Sequence, residues 1–199
     1  TRVDAEGKVQ PGVAESWETS EDGLTWTFKL RKNSTWSNGT PVTAHDFEYS
    51  WKRTLTPETA AEYSYIMADI VGSSTKEIQE NGVDGVGVKA LDDYTLEVKL
   101  NRPVAYFAEL VSFQVFFPQN QAFVESCGDA YGSAADKQLY NGPFTLTSWK
   151  MEDQFTMEKN PNYWDAANVK LNKINTKVVK DTGAEVSLYE DGQIDRAIL

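Results

Sequence analysis

The sequence predicts a mixed α+β fold, and three observations carry that prediction. Stretches that alternate apolar and polar residues, the mark of half-buried strands, sit beside stretches with an apolar residue every third or fourth position, the mark of amphipathic helices. The two kinds do not follow the strict strand–helix–strand order of a parallel α/β sheet. Finally, 40% of the 199 residues are apolar, with 6 Trp, 9 Tyr and 9 Phe. A chain so rich in aromatics can bury a core and is no disordered segment.

The first clear strand is LTWTFKL (24–30), with Trp26, Phe28 and Leu30 on one face and Thr25, Thr27 and Lys29 on the other. The stretch WSNGTPVTAHDFEYSWKR (36–53) follows. Its Asn38-Gly39 pair is a tight turn, because that pair tolerates positive φ. Thr43 is a helix N-cap, and Asp46, three residues on, can return a hydrogen bond to the Thr43 amide. Phe47, Trp51 and Leu55 then form one apolar stripe, with Lys52 and Arg53 placed in the last turn to suit the helix dipole. Those aromatics are read as facing a core rather than a ligand.

A second helix is expected over 58–70, stopped near Gly72, and NGVDGVGVKAL (81–91) reads as a flexible connector. DDYTLEVKL (92–100) is another alternating strand, with Tyr94, Leu96, Val98 and Leu100 on one face. Pro103 suits the first position of a third helix over 104–113. A short helix is expected within FFPQNQAFVESCGDA, then a hairpin with strands over 144–150 and 155–159 and a further strand over 173–179. DTGAEVSLYEDGQID reads as a capped helix ending at Gly192, and GQIDRAIL as an interrupted strand. The clearest change of character lies near Pro118, where a helix-rich half is expected to give way to a strand-rich one.

The net charge of −11 excludes a nucleic-acid binder, which needs a basic footprint, and argues against docking on an anionic membrane. It suits a protein that stays monomeric. No run approaches the ~18 apolar residues of a spanning helix. The opening TRVDAEGKVQ has neither a basic start nor an apolar run, so no signal peptide is expected. Both ends read as cuts, and a fragment of a longer protein is expected.

The catalytic inventory is nearly empty. His45, the one histidine, falls in the first turn of the 44–55 helix and reads as solvated; Cys127, the one cysteine, has no base partner in view. Two such residues cannot make a zinc or copper site, and no calcium loop or phosphate cradle occurs. Only a pair among the 30 acidic residues leaves a hydrolase open. No catalytic residue, metal or cofactor is therefore assigned. What remains is aromatic surface: Tyr63 and Tyr65 cannot share one helical stripe, so one should pack and the other make contact elsewhere.

Four ordered blocks carry a resemblance. PGVAESWETSEDGLTWTFKLRKNSTWSNGTPVTAHDFEYSWKR (11–53), GVKALDDYTLEVKLNRPVAYF (87–107), LYNGPFTLTSW (139–149) and KNPNYWDAANVKLNKI (159–174) together resemble the bacterial extracytoplasmic solute-binding proteins of the oligopeptide/dipeptide class, the receptors of ABC importers. The likeness spans nearly the whole chain and is greatest to the oligopeptide receptors.

It implies a class II periplasmic-binding-protein-like fold, here partial. Residues 1–118 would be the extra domain inserted in the first lobe, and 119–199 the returning part of that lobe. It implies an oligopeptide ligand, ABC permease subunits as partners, an extracytoplasmic location, and membrane attachment only through a lipid anchor outside this chain. By position Tyr63 matches the tyrosine such receptors present to bound peptide; Tyr65 and Phe113 join it from nearby segments. Other ligands of the class, a peptide pheromone, an oligosaccharide or a nickel complex, stay open at this point.

Overall fold

The computed structural model describes residues 1–197. A small hairpin of β1 (Arg2–Val3) and β2 (Val9–Gln10) leads into β3 (Ala14–Thr19) and β4 (Thr25–Leu30). Helix α1 (Ala44–Leu55), two 3-10 turns (Pro57–Thr59 and Ser64–Met67) and helix α2 (Thr75–Asn81) follow. Then come β5 (Val88–Asp92), β6 (Thr95–Lys99), the single-turn α3 (Phe107–Leu110), a 3-10 turn Gln114–Phe116 and α4 (Gln121–Cys127). The chain closes with β7 (Phe144–Lys150), β8 (Gln154–Lys159), β9 (Lys173–Lys177) and α5 (Thr182–Glu190). Strands β3-β4-β6-β5 form one antiparallel sheet and β7-β8-β9 another. The class is α+β, as the patterning implies.

The alternation on β4 is obeyed: Trp26, Phe28 and Leu30 are buried. Its register sets Trp26 opposite Val98 and Phe28 opposite Leu96, so two apolar faces merge into one. Helix α1 lays Trp51 and Leu55 on this layer, and each full burial is worth roughly 1.5–3 kcal/mol. Rings then run outward from the sheet. Phe107 is 5.5 Å from Trp26, Phe116 is 6.3 Å from Phe107, and Trp51 meets Phe116 edge-on at 5.0 Å. This core draws its residues from Ala14 to Phe116.

The stretch that opens α1 is a junction. Gly39 turns at φ +86°, Asn38 Oδ1 accepts the Thr40 amide at 3.1 Å, and Trp36 is buried beneath. Ser37 donates its amide to the Tyr140 carbonyl at 2.7 Å, and Asn162 Nδ2 donates to the Ser37 carbonyl at 2.9 Å. The turn thus ties the four-stranded half to the segments that flank β7 and β8. On the far side of that seam, Trp164 lies under two cations, with Arg31 at 3.9 Å and Arg2 at 5.0 Å from its ring.

Several expectations change. No α-helix spans 58–70: Pro57 forces Thr56 into extended backbone, and Ala60 turns left-handed at φ +49°, so only 3-10 turns form. Pro103 does not open the third helix; it sits against the Gly23 turn, and only Phe107–Leu110 is helical. The 81–91 stretch is no loose connector. Gly87 exchanges backbone hydrogen bonds with Val71 and Lys99 at 2.7 Å each, then feeds β5. The half before Pro118 is not helix-rich, since it holds the larger sheet. Residues 193–197 form no strand, and the rest of the expected terminal strand, 198–199, lies outside the described residues. The hairpin, β9 and α5 occur where the sequence puts them, with Asp181 Oδ1 capping the Ala184 amide at 2.8 Å.

Candidate functional site

The 3-10 turns that replace the expected helix shape the site. Tyr63 precedes the Ser64–Met67 turn and Phe113 precedes the Gln114–Phe116 turn. Each turn is pinned from below by a buried side chain, Met67 and Phe116. Tyr63, Tyr65 and Phe113 are thereby left outside, at 46%, 68% and 37% exposure. Their rings nonetheless gather: Tyr63 lies 6.2 Å from Tyr65 and 5.6 Å, edge-on, from Phe113. The expectation that one tyrosine would pack away is corrected. In a tight 3-10 turn both remain at the surface, stacked on each other.

Helix α1 holds this surface from behind. Trp51 Nε1 donates to the Phe116 carbonyl at 2.9 Å, and Ser50 Oγ donates to the Phe117 carbonyl at 2.6 Å. Both carbonyls are the open end of the turn that carries Phe113. The buried stripe of the opening helix therefore positions the aromatic cluster without joining it.

The start of the same helix is set by Asp46. Its Oδ2 accepts the Thr43 amide at 2.7 Å and Trp36 Nε1 at 3.4 Å, and Oδ1 accepts Asn120 Nδ2 at 3.4 Å. Burial pushes the Asp46 carboxyl above the usual carboxylate range, against the opposing pull of the Thr43 amide and the Trp36 indole.

Beside Tyr63 opens a polar cavity of about 330 Å³, walled by Arg53, Gln119 and Tyr131 among others. Sequence reasoning missed it. Arg53 read as a cation for the helix dipole, and nothing in spacing tells that 119 and 131 fold back beside it. An apolar cavity of about 220 Å³ lies between the sheet and the 141–143 and 163–164 segments, lined by Phe28, Trp51, Pro143 and Trp164 among others.

The remaining candidates stay apart from both. His45 is exposed, 3.4 Å from Asp93 Oδ1, and Cys127 is a half-buried free thiol. Among the described residues no three His, Cys, Asp or Glu side chains gather to hold a metal. No helix among them is long and apolar enough to cross a membrane.

Comparison with known proteins accords with this geometry. The family model for bacterial extracellular solute-binding proteins, family 5 (middle), matches residues 8–199. The chain is 41% identical over 197 residues to the oligopeptide-binding protein OppA of Bacillus subtilis, covering 99% of this chain and 36% of that protein. The dipeptide-binding protein DppE of the same organism is 40% identical over 197 residues.

Among solved structures, the substrate-binding domain of an oligopeptide ABC transporter from Bacillus anthracis superposes with a TM-score of 0.95 at 49% identity. It is matched by 100% of this chain over 38% of its own length. Listeria monocytogenes OppA bound to peptide superposes at 0.94 and 42% identity, over 100% of this chain and 39% of its own. The chain thus spans somewhat over a third of the proteins it matches. It belongs to the bacterial extracellular solute-binding proteins of family 5.

Proposed function

We propose that this chain is one wall of a peptide-binding receptor that delivers oligopeptides to an ABC importer. The observation that supports it is the exposed cluster of Tyr63, Tyr65 and Phe113, pinned from behind yet left open beside a polar cavity. Rigid rings with hydroxyl handles suit the recognition of many peptide sequences. The ligand would lie extended, with main-chain hydrogen bonds supplying affinity and water filling loose side-chain pockets. OppA and DppE are named for oligopeptide and dipeptide binding, and one superposing OppA holds a peptide.

In this reading residues 1–118 are the extra domain and 119–199 return to the first lobe. The opposing wall lies in a further part of a longer protein. Closure of that part over the peptide is a hinge population shift, and permease subunits bind the closed form. The receptor works outside the cytoplasm as a monomer held by a lipid anchor, and catalyses nothing.

Titration calorimetry tests the reading. The longer receptor should bind short peptides, and these 199 residues alone should bind them weakly or not at all. Micromolar binding by the 199-residue chain would contradict the two-walled account, and no peptide binding by the longer receptor would end the peptide reading.

A further inference from the structure

The cavity beside Tyr63 carries an unusual charge. Arg53 extends into it from the last turn of α1. Its Nη1 donates to Gln119 Oε1 at 3.1 Å, and its guanidinium lies 5.4 Å from the centre of the Tyr131 ring. No carboxylate lies within ion-pair distance of Arg53 among the described residues, although Asp and Glu outnumber Lys and Arg by 30 to 19. Arg2 and Arg102 do hold acids, Asp165 and Asp69. Glu62 also lines the cavity but does not reach Arg53.

A guanidinium presents five N–H donors. Here one is engaged by a neutral amide, and the rest face a space of about 330 Å³. At about 30 Å³ per water, that space holds a short carboxylate side chain together with several waters. Tyr131 adds a hydroxyl that burial keeps protonated at neutral pH, a second donor on the same wall.

Resting on the peptide-receptor reading above, we propose that the Arg53 cavity is a subsite for a carboxylate of the bound peptide. Gln119 braces the guanidinium, the Tyr131 ring lies beside it, and the free N–H groups take the two carboxylate oxygens side by side. The receptor then ranks peptides by an acidic group placed next to the residue that rests on Tyr63. That group is either a Glu or Asp side chain or the terminal carboxylate.

The test uses the longer receptor, as wild type, R53Q and R53K, titrated with three forms of one tetra-alanine peptide: free acid, C-terminal amide, and amides carrying one Glu scanned along the chain. The proposal expects one carboxylate placement to bind about tenfold or more tightly than its neutral counterpart, the scale of a charge-assisted hydrogen-bonded pair. R53Q should abolish that ratio, and R53K should retain part of it. A preference for free acid over amide would assign the site to the terminus; a preference for one Glu position would assign it to a side chain.

Thermal melts check that each variant folds, and R53K carries the test if R53Q does not. Peptide binding with the same acid-to-neutral ratio in wild type and variants would overturn this inference and leave the receptor reading intact. A receptor that binds none of the peptides would overturn both.

Discussion

Replacing Trp51 by Phe isolates the link between the buried helix stripe and the aromatic surface. Trp51 is 2% exposed, its indole N–H is held by the Phe116 carbonyl at 2.9 Å, and its ring meets Phe116 edge-on. Phe keeps a six-membered ring in the stripe but deletes the donor. A buried carbonyl left without its partner costs about 1–3 kcal/mol. The missing half of the indole adds a cavity term of about 1–2 kcal/mol, reckoned from the measured cost of lost core volume. The apolar cavity beside Trp51 does not offset it, since empty space there stays empty.

The sum is about 3 kcal/mol, or roughly 6–12 °C in Tm for a chain of this length. Urea denaturation followed by far-ultraviolet circular dichroism reads it directly. The Ser50→Ala variant is the companion, because it removes only the donor to the Phe117 carbonyl and should cost about 1–2 kcal/mol. A Trp51→Phe loss under about 0.5 kcal/mol, the range of an ordinary surface change, would refute the claim that this helix holds the turn.

Two further predictions concern the frame. Asp46 has its carboxyl raised by burial, so its ionised form costs the folded state, and the stability present below the unfolded pKa is lost as pH rises through the folded one. Asp46→Asn cannot ionise, so its Tm relative to wild type should improve from pH 3 to pH 7; a difference that is flat, or that falls, would contradict the assignment. Gly72→Ala places a methyl on the Gly85 carbonyl at a position where φ is +72°, and should destabilise by more than about 2 kcal/mol; a neutral result would show that the 82–87 stretch can move away.

Where one local rule governed, the fold was legible. The β4 alternation and the Thr43–Asp46 cap each depend on neighbours a few residues apart, and both stand as read. Strands β3 and β5 escaped notice because each carries a register shift, between Ala14 and Ser16 and between Ala90 and Asp92, which breaks the period of two. The 58–70 helix failed for the opposite reason. Its composition favours helix, but the Thr56–Pro57 restriction and the turn at Ala60 override a weak propensity.

The same split runs through the site. Family likeness pointed to Tyr63, Tyr65 and Phe113, and the structure gathers their rings. The Arg53 cavity was invisible because Gln119 and Tyr131 lie 66 and 78 positions further along the chain. Only the fold brings them together.

Peptide binding by the longer receptor carrying Tyr63→Ala tests the central claim most directly, beside wild type and a Trp149→Ala control. Trp149 is as exposed as Tyr63 but sits on β7, away from the cluster. Losing one stacked ring should weaken binding of a mixed set of short peptides about 5–50-fold in calorimetry, with melting temperatures unchanged and the control binding as wild type. Wild-type affinity in the Tyr63→Ala protein would show that peptides do not rest on this surface.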